Sequence, residues 1–385
     1  MKRIIVIPST RILAIIWVLS LFIILILTIS INTNPTVEAK FVFSKKWGTQ
    51  GSGNGQFNDP SGITIDSSGR LYVVDTGNNR IQQFRLVNPC PSGTTQIVAG
   101  VCFVRSWGSL GTGNGQFNKP LDVALDSAGR VYVADLGNHR IQMFRGTGAF
   151  MKAWSTDGPG STQFNSLTGI AVDASTNDIY ALDKGDSTNP PYMHKFQLSS
   201  ACPNGATKVV SGVCFISKWE IGDSTEPPGF NFSPRGVGVN SLTHEAYVSL
   251  KRETPHQYWI YRYSSSGTKI TEWGGFGGST DGKFSNPNGI AIDSIGRVYV
   301  ADSRIQSFLM ANPCPSDTTQ VTPGVCFVTK LVPGGIPIDV AIGLPSGRLY
   351  ALDQYDNSIQ EFVWKADVGG TGGAGGGISP NVVPK

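Results

Sequence analysis

The sequence has little charge and little histidine. Only 15% of its 385 residues are Asp, Glu, Lys or Arg, four are His, and 40% are hydrophobic. Such a chain can bury a large core, which excludes wholesale disorder and a coiled coil. The net charge is +4, and it falls to +2 without residues 1–39, which hold Lys2, Arg3, Arg11 and Glu38. A nucleic-acid binder needs a concentrated basic face, so we expect no nucleic-acid partner.

Helical periodicity is absent after residue 32, but one long apolar run precedes it. Residues 12–31 are uncharged and mainly apolar, and as a helix they would span about 30 Å, enough to cross a bilayer. The cations before this run should stay in the cytoplasm, so the rest of the chain is carried outside. Small residues around Ala39 also suit a signal peptidase. Residues 1–39 are therefore predicted to be a signal peptide or a membrane anchor, and the protein secreted or membrane-anchored.

The cysteines support an oxidising compartment. There are six, and they form three pairs in which the two cysteines are 12 residues apart: Cys90 and Cys102, Cys202 and Cys214, Cys314 and Cys326. No pair has the C-x-x-C spacing of a zinc site and no His accompanies one, so we predict three local disulfides. Each bridge should stabilise the fold by about 3 kcal/mol.

The chain repeats itself. Successive cysteine pairs are 112 residues apart, and six copies of one pattern follow each other. The clearest copies are GSGNGQFNDPSGITIDSSGRLYVVDTGNNRIQQF at 51–84, its counterpart at 111–144 and a shorter one at 277–308. Each contains three short runs rich in Ile, Val, Tyr and Phe between turn residues, and a fourth run such as FVRSWG follows. Four short strands per copy are typical of a propeller blade.

The segments P-x-G-I-A-x-D, G-R-V-Y-V-A-D and G-N-N-R-I-Q-x-F resemble the NHL repeat family. The resemblance covers residues 41–367 and implies an all-β, six-bladed propeller of four-stranded antiparallel blades. The last copy lacks a fourth strand, whereas FVFSKKW at 41–47 precedes the first copy. We therefore expect this N-terminal strand to pair with the last blade and close the ring. Residues 368–385 begin with a glycine tract and are predicted to be a flexible tail.

Repeated Asp and Arg residues are the first candidate site. Asp ends the second strand of five blades and Arg begins the third strand of three, at Asp75, Arg80, Asp135, Arg140, Asp183, Asp302, Arg304 and Asp353. The simplest interpretation is a turn-fixing ion pair or hydrogen bond in each blade. The alternative is a ring of carboxylates that binds a cation such as calcium. Leu250 takes this position in the fourth blade and would interrupt such a ring.

The four histidines do not suggest a metal centre. Related propellers that act as amidoglycolate lyases hold a central metal with several His ligands. Here His139 and His256 should lie on the loop-bearing face, His244 on the opposite face and His194 within a third strand. No cofactor is therefore predicted, although calcium or a transition metal stays open. The Gly-rich loops at 51–56 and 111–116 precede no helix and are not expected to bind phosphate.

The third and fourth copies depart most from the pattern, and the fourth adds Arg252, His256, Tyr258 and Trp259 near one turn. Loops on a rigid scaffold often carry specificity, so these residues are a candidate binding surface. The sequence thus predicts an extracytoplasmic, monomeric propeller that binds a protein or glycan without catalysis. Residues 12–31 would attach it to the membrane if they are retained. The alternative is a metal-dependent propeller enzyme, lyase-like or lactonase-like, with its site at the central channel.

Overall fold

A computed structural model of the chain describes residues 39–155, 164–186, 189–222, 232–253, 255–278, 280–343 and 347–366. Residues 41–363 belong to the larger of two compact units, and the smaller unit contributes only residues 39–40 and 364–366 to the described part. The predicted leader up to residue 38 and the predicted glycine tail lie outside these ranges. No helix among the described residues is long and apolar enough to cross a membrane.

The described residues form 27 strands, which fall into six sheets. The N-terminal strand is β1 (Ala39–Trp47). Blade 1 contains β2 (Gly62–Ile65), β3 (Arg70–Asp75), β4 (Arg80–Arg85), β5 (Thr95–Val98) and β6 (Val101–Trp107). Blade 2 contains β7 (Pro120–Leu125), β8 (Val131–Asp135), β9 (Arg140–Phe144) and β10 (Phe150–Trp154). Blade 3 contains β11 (Leu167–Val172), β12 (Asp178–Asp183), β13 (Tyr192–Gln197), β14 (Thr207–Val210) and β15 (Val213–Glu220).

The second half repeats this arrangement. Blade 4 contains β16 (Phe232–Asn240), β17 (Glu245–Arg252), β18 (Gln257–Tyr263) and β19 (Lys269–Gly275). Blade 5 contains β20 (Ile290–Ile292), β21 (Val298–Ala301), β22 (Ile305–Leu309), β23 (Thr319–Thr322) and β24 (Val325–Leu331). Blade 6 contains β25 (Pro337–Gly343), β26 (Arg348–Asp353) and β27 (Ser358–Ala366). The only described helices are 3-10 turns at Thr76–Asn78 and Leu136–Asn138.

The six sheets form a ring, which confirms the predicted propeller. The first strand of each blade is innermost and contacts the first strand of the next blade, and β25 of the last blade contacts β2 of the first. β1 lies beside β27, in a sheet with the order β1-β27-β26-β25. The N-terminal strand is thus the outer strand of blade 6, where the strand count places it. Two kinds of connection share one end of the blades, which we name the loop face: the segment before each first strand and the turn between the second and third strands.

Three blades have one strand more than the sequence predicts. In blades 1, 3 and 5 the cysteine-containing segment is not a plain loop, because β5, β14 and β23 pair with the outer edge of the fourth strand. Thr and Val dominate these short strands, and both favour an extended backbone. A glycine with positive φ, such as Gly100 at 79°, then turns each one back into the fourth strand.

The three predicted disulfides are confirmed. Each bridge joins the segment before the added strand to the start of the fourth strand: Cys90 to Cys102, Cys202 to Cys214, and Cys314 to Cys326. No free cysteine is present in the part of the chain that the structure describes. The bridges tether the added hairpins at the outer edges of alternate blades.

The core lies between neighbouring blades. Six clusters of buried apolar side chains fill the six interfaces, including one between blades 6 and 1. A tryptophan from the fourth strand, which is β1 in blade 6, packs edge-on against a buried tyrosine of the second strand in five blades, as Trp107 does with Tyr72 at 6.3 Å between ring centroids. Trp47 of β1 makes this same contact with Tyr350 of blade 6. Close packing of this kind fixes the angle between successive blades.

The Asp that ends the second strand organises the loop face. Asp135 is fully buried and accepts hydrogen bonds from the backbone N–H of Asn118 at 2.8 Å and from the Nε of Arg140 at 2.9 Å. The side chains of Asn138 and Gln142 donate to the same carboxylate. Asp75 makes the corresponding bonds in blade 1, with Arg80 at 2.6 Å. The carboxylate thus joins the incoming segment to the second and third strands.

We expect Asp135→Ala to lower the free energy of unfolding by about 3–5 kcal/mol, because Arg140 and several buried donors lose their acceptor. The matched control is Asp356→Ala, since Asp356 is an exposed carboxylate paired with exposed Lys46 and such pairs contribute at most about 1 kcal/mol. Guanidinium denaturation of the oxidised full chain measures both. Equal losses in the two variants would contradict the organising role of Asp135.

Candidate functional site

A channel runs through the centre of the ring. Its volume is 920 Å³, and the first strands of all six blades line it. The middle of the wall carries small side chains at one equivalent strand position: Thr64, Ala124, Ala171, Ala291 and Ala341. A cavity of this size can hold a small organic molecule.

At the loop face the channel is ringed by one residue from each blade, which lies in the first strand or just before it. We name this ring the channel mouth, and its members are Ser61, Leu121, Thr168, Arg235, Asn288 and Ile338. In four blades the strand register shifts at this residue. A β-bulge turns its extra residue out of the ladder and re-aims the side chain. The sequence pattern alone could not reveal the ring, because its six members share no chemistry.

Two carboxylates lie one residue below the mouth, and sequence reasoning missed both. Asp122 accepts the backbone N–H of Ile170 in blade 3 at 2.8 Å, and Asp339 accepts that of Ile63 in blade 1 at 2.8 Å. Each therefore links its blade to the next. The other four blades have glycine at this position: Gly62, Gly169, Gly236 and Gly289. In the sequence, the replacement of this glycine by aspartate in two of the six copies could have identified the two carboxylates.

Burial raises the pKa of Asp122 to about 7, although backbone N–H groups favour its charged form. Burial also raises the pKa of Asp339, and the charge of Asp122 adds to that effect. The pair is therefore partly protonated near neutral pH and interacts electrostatically. Perturbed carboxyl groups in a cavity mark a candidate site.

The repeated Asp residues do not form a ring around the channel. Their side chains are buried at the ends of the second strands, and none lines the channel wall. Asp183 accepts backbone N–H groups of Asn165 and Ser166, Asp302 accepts those of Ser285 and Asn286, and Asp353 accepts that of Ile336.

Arg304 holds the incoming loop-face segment of blade 5. It is buried and donates to the carbonyl of Thr280 at 2.6 Å. The geometry of this set is that of loop fixation in five of the six blades, and the carboxylates do not converge on one cation.

The four histidines are dispersed. His139 ends a loop-face turn, and its Nδ1 lies 2.7 Å from the carbonyl oxygen of Phe164. His194 is buried beside the rings of Phe164 and Phe196, and His256 is a largely exposed side chain. The channel lining, as far as it is described, contains no histidine.

His244 belongs to a cluster that crosses from blade 4 to blade 3 on the face opposite the loops. Its Nδ1 is 2.7 Å from a carboxylate oxygen of Asp173 and 3.4 Å from the hydroxyl of Ser175. Ser175 itself donates to Asp173 at 2.6 Å. Both partners therefore meet the same ring nitrogen, whereas a catalytic triad places acid and nucleophile on different nitrogens. The cluster is a contact between blades 3 and 4. It could not be predicted from the sequence because its members are far apart in the chain.

The four residues of the candidate binding surface in blade 4 differ in their exposure. Arg252 is half-buried, and its guanidinium lies over the rings of Phe232 and Trp259 at 5.6 and 5.5 Å. Tyr258 and Trp259 are also half-buried and pack against the cores on the two sides of blade 4. Only His256 is largely exposed, with 70% of its side chain accessible. These four residues therefore do not form one continuous exposed surface.

The described residues do not fit a multi-histidine metal centre. No group of three or more His, Cys, Asp or Glu side chains that could hold a metal ion occurs among them. Asp122 and Asp339 approach each other in the channel, but their oxygens already accept backbone N–H groups. A hard cation prefers six or more oxygen ligands, and this pair supplies too few.

The raised pKa values predict an unusual pH dependence. A carboxyl whose folded-state pKa exceeds its unfolded value stabilises the fold most below the unfolded pKa, and this contribution is lost as pH rises from about 4 to about 7. For Asp122 the loss amounts to at most about 4 kcal/mol. Asp122→Gly introduces the residue that four other blades have at this position. Between pH 4 and 8, the free energy of unfolding measured by denaturation should fall less with rising pH in this variant than in the wild type. The exposed-site control Asp356→Ala should keep the wild-type pH dependence, and an unchanged pH dependence in Asp122→Gly would refute the assignment.

Comparison with known proteins agrees with the repeat. The NHL repeat model matches residues 57–84 and 117–144, which are the central parts of blades 1 and 2. NHL repeat-containing protein 3 of Homo sapiens is 39% identical over 94 residues, and the Mus musculus protein is 36% identical over 94 residues. Each alignment covers 23% of this chain and 23% of the relative, so the match spans about a quarter of those proteins.

A solved structure shares the fold. A gluconolactonase from Xanthomonas campestris superposes with a TM-score of 0.52 over 86% of this chain and 99% of its own, at 12% identity. That likeness concerns the propeller architecture alone. The family match shows NHL repeats in blades 1 and 2, and the six antiparallel blades show a β-propeller.

Proposed function

We propose that this chain is an extracytoplasmic NHL-repeat propeller that binds a protein partner through its loop face, without catalysis. The observation that carries the proposal is a run of exposed apolar side chains on consecutive loop-face segments of blades 5 and 6. We name it the apolar arc, and it consists of Phe276, Val332, Ile336 and Tyr355. These side chains are 50–74% exposed. Several exposed apolar side chains on one face of a soluble protein make that face a candidate interaction site.

The rest of the loop face supports this use. The arc is carried on segments whose ends are fixed by the buried Asp residues, so it is presented on a rigid frame. Aromatic residues such as Phe276 and Tyr355 lose little conformational freedom on binding and dominate many protein interfaces. A glycan can also stack on these rings, and it is the second ligand class considered. A metal-dependent enzyme is the weaker candidate, because the described residues do not supply its ligands.

The location outside the cytoplasm is supported by the three disulfides. Structural disulfides rarely persist in the reducing cytosol, whereas they are common in secreted and cell-surface proteins. Together with the apolar run at residues 12–31 that precedes the propeller, the bridges favour export with or without a retained anchor.

Alkylation tests the location. When the protein is taken from its own cells into a thiol-blocking reagent without reductant, we expect no cysteine to be modified, because all six are bridged. Mass spectrometry before and after reduction counts the modified residues. Reduction before blocking should expose all six and serves as the control. Six blocked cysteines without reduction would contradict an extracytoplasmic location.

Photo-crosslinking tests the binding face. A photoreactive amino acid at Phe276 or Tyr355 should yield a covalent adduct of one defined mass in the native cells. The matched controls are Leu242 and Ile295, which are 63% and 48% exposed but lie between first and second strands on the opposite face. They should yield no adduct. Adducts that lose their added mass after glycosidase treatment would indicate a glycan, and equal labelling from both faces would refute the proposal.

A further inference from the structure

Arg235 distinguishes one side of the channel mouth. It is the only charged residue among the six members of that ring. Its side chain is half-buried, and its Nε is buried without a hydrogen-bond partner among the described residues. A buried polar atom without an acceptor destabilises the protein, and more so when it is charged. The site is therefore poised to gain energy from an acceptor that reaches the guanidinium.

Two further donors flank Arg235 on the neighbouring blades. Lys184 of blade 3 is exposed and lines the same channel. Its backbone N–H donates a hydrogen bond to the carbonyl of Ser166 at 2.8 Å. Asn288 of blade 5 also lines the channel, and its backbone N–H donates a hydrogen bond to the carbonyl of Ala301 at 2.8 Å. Its side-chain amide can donate two hydrogen bonds.

Ser249 joins the two walls of this corner. Its hydroxyl accepts the N–H of Gly236, the residue after Arg235, at 2.9 Å, and donates to the carbonyl of Asn288 at 2.5 Å. The backbones that carry Arg235 and Asn288 are therefore held in one fixed relation. A binding site gains affinity when its groups are positioned in advance.

The acidic residues nearby do not satisfy Arg235. Asp122 and Asp339 direct their carboxylates to backbone N–H groups between blades, on the opposite side of the ring. The mouth positions of those two blades are the aliphatic residues Leu121 and Ile338. The mouth is thus two-sided, with cationic and amide donors over blades 3–5 and an apolar wall over blades 2 and 6.

We propose that the channel mouth binds an organic carboxylate, with Arg235 as its charged anchor, Lys184 and Asn288 as supporting donors, and the aliphatic side against the apolar body of the ligand. Arginine holds a carboxylate with two parallel hydrogen bonds, which lysine cannot reproduce. The carboxylate can belong to a small molecule or to an acidic group of a bound polypeptide. This proposal stands independently of the apolar arc, which lies on the outer loops.

Ligand-observed NMR titration of the full chain with hexanoate tests it, with hexanamide as the uncharged probe of equal shape. We expect saturable binding of hexanoate and none of hexanamide. Arg235→Gln should weaken hexanoate binding by about tenfold or more, and Arg235→Lys should recover only part of it. The matched control is Arg105→Gln, since Arg105 is an exposed outer-strand cation that donates to the carbonyl of Thr147. It should bind as the wild type does.

A second variant and a second probe complete the test. Lys184→Gln changes an exposed side chain and should weaken binding about threefold even if Arg235 variants fold poorly. A pentapeptide with a free terminal carboxylate is compared with its amidated form. Tighter binding of the free peptide than of hexanoate assigns the ligand to a polypeptide, and the reverse assigns it to a small molecule. Failure of both carboxylates to bind, equal binding of hexanamide, or wild-type affinity in Arg235→Gln would overturn the proposal.

Discussion

The buried carboxylate at the end of the second strand is the contact on which the loop face depends. In blades 1 and 2 it gathers a backbone N–H of the incoming segment together with Arg, Asn and Gln side chains. Since it is fully buried, every one of these donors is needed to offset its desolvation. Movement of the incoming segment would remove one of these donors from a buried carboxylate. The loops around the channel therefore start from fixed positions, and their variable tips are free to differ between blades.

Blade 4 shows what happens when that device is absent. Leu250 replaces the aspartate, and the adjacent Ser249 hydroxyl holds the first strand at Gly236 and reaches across to blade 5. A neutral hydroxyl binds fewer partners than a carboxylate, so it needs no neighbouring arginine to balance its charge. Arg235 of this blade stands at the channel mouth, whereas Arg80 and Arg140 form ion pairs within their own blades. One substitution in the repeat thus accompanies a change in where the positive charge is placed.

Much of the fold was predictable because it depends on local patterns. Turn residues, short β-branched runs and a constant cysteine spacing give six blades and three bridges without tertiary information. The added strands β5, β14 and β23 were missed because a four-residue run between two cysteines reads equally well as loop. The site was less accessible to prediction. Asp173 and His244 meet across 71 positions of sequence, and the direction of Arg235 is set by a bulge that the sequence pattern does not mark.

The departures from symmetry, more than the repeat, locate the chemistry. A ring of six equivalent copies would present six equal groups to its axis, and like charges there would repel one another. This channel instead has glycine in four copies and aspartate in two at one level, and one arginine among six residues at the next. Asp122 and Asp339 flank blade 1, whereas Arg235 comes from blade 4 on the far side. Because the carboxylates lie across the cavity from Arg235 and accept backbone N–H groups, they do not neutralise its guanidinium, which stays available to a ligand.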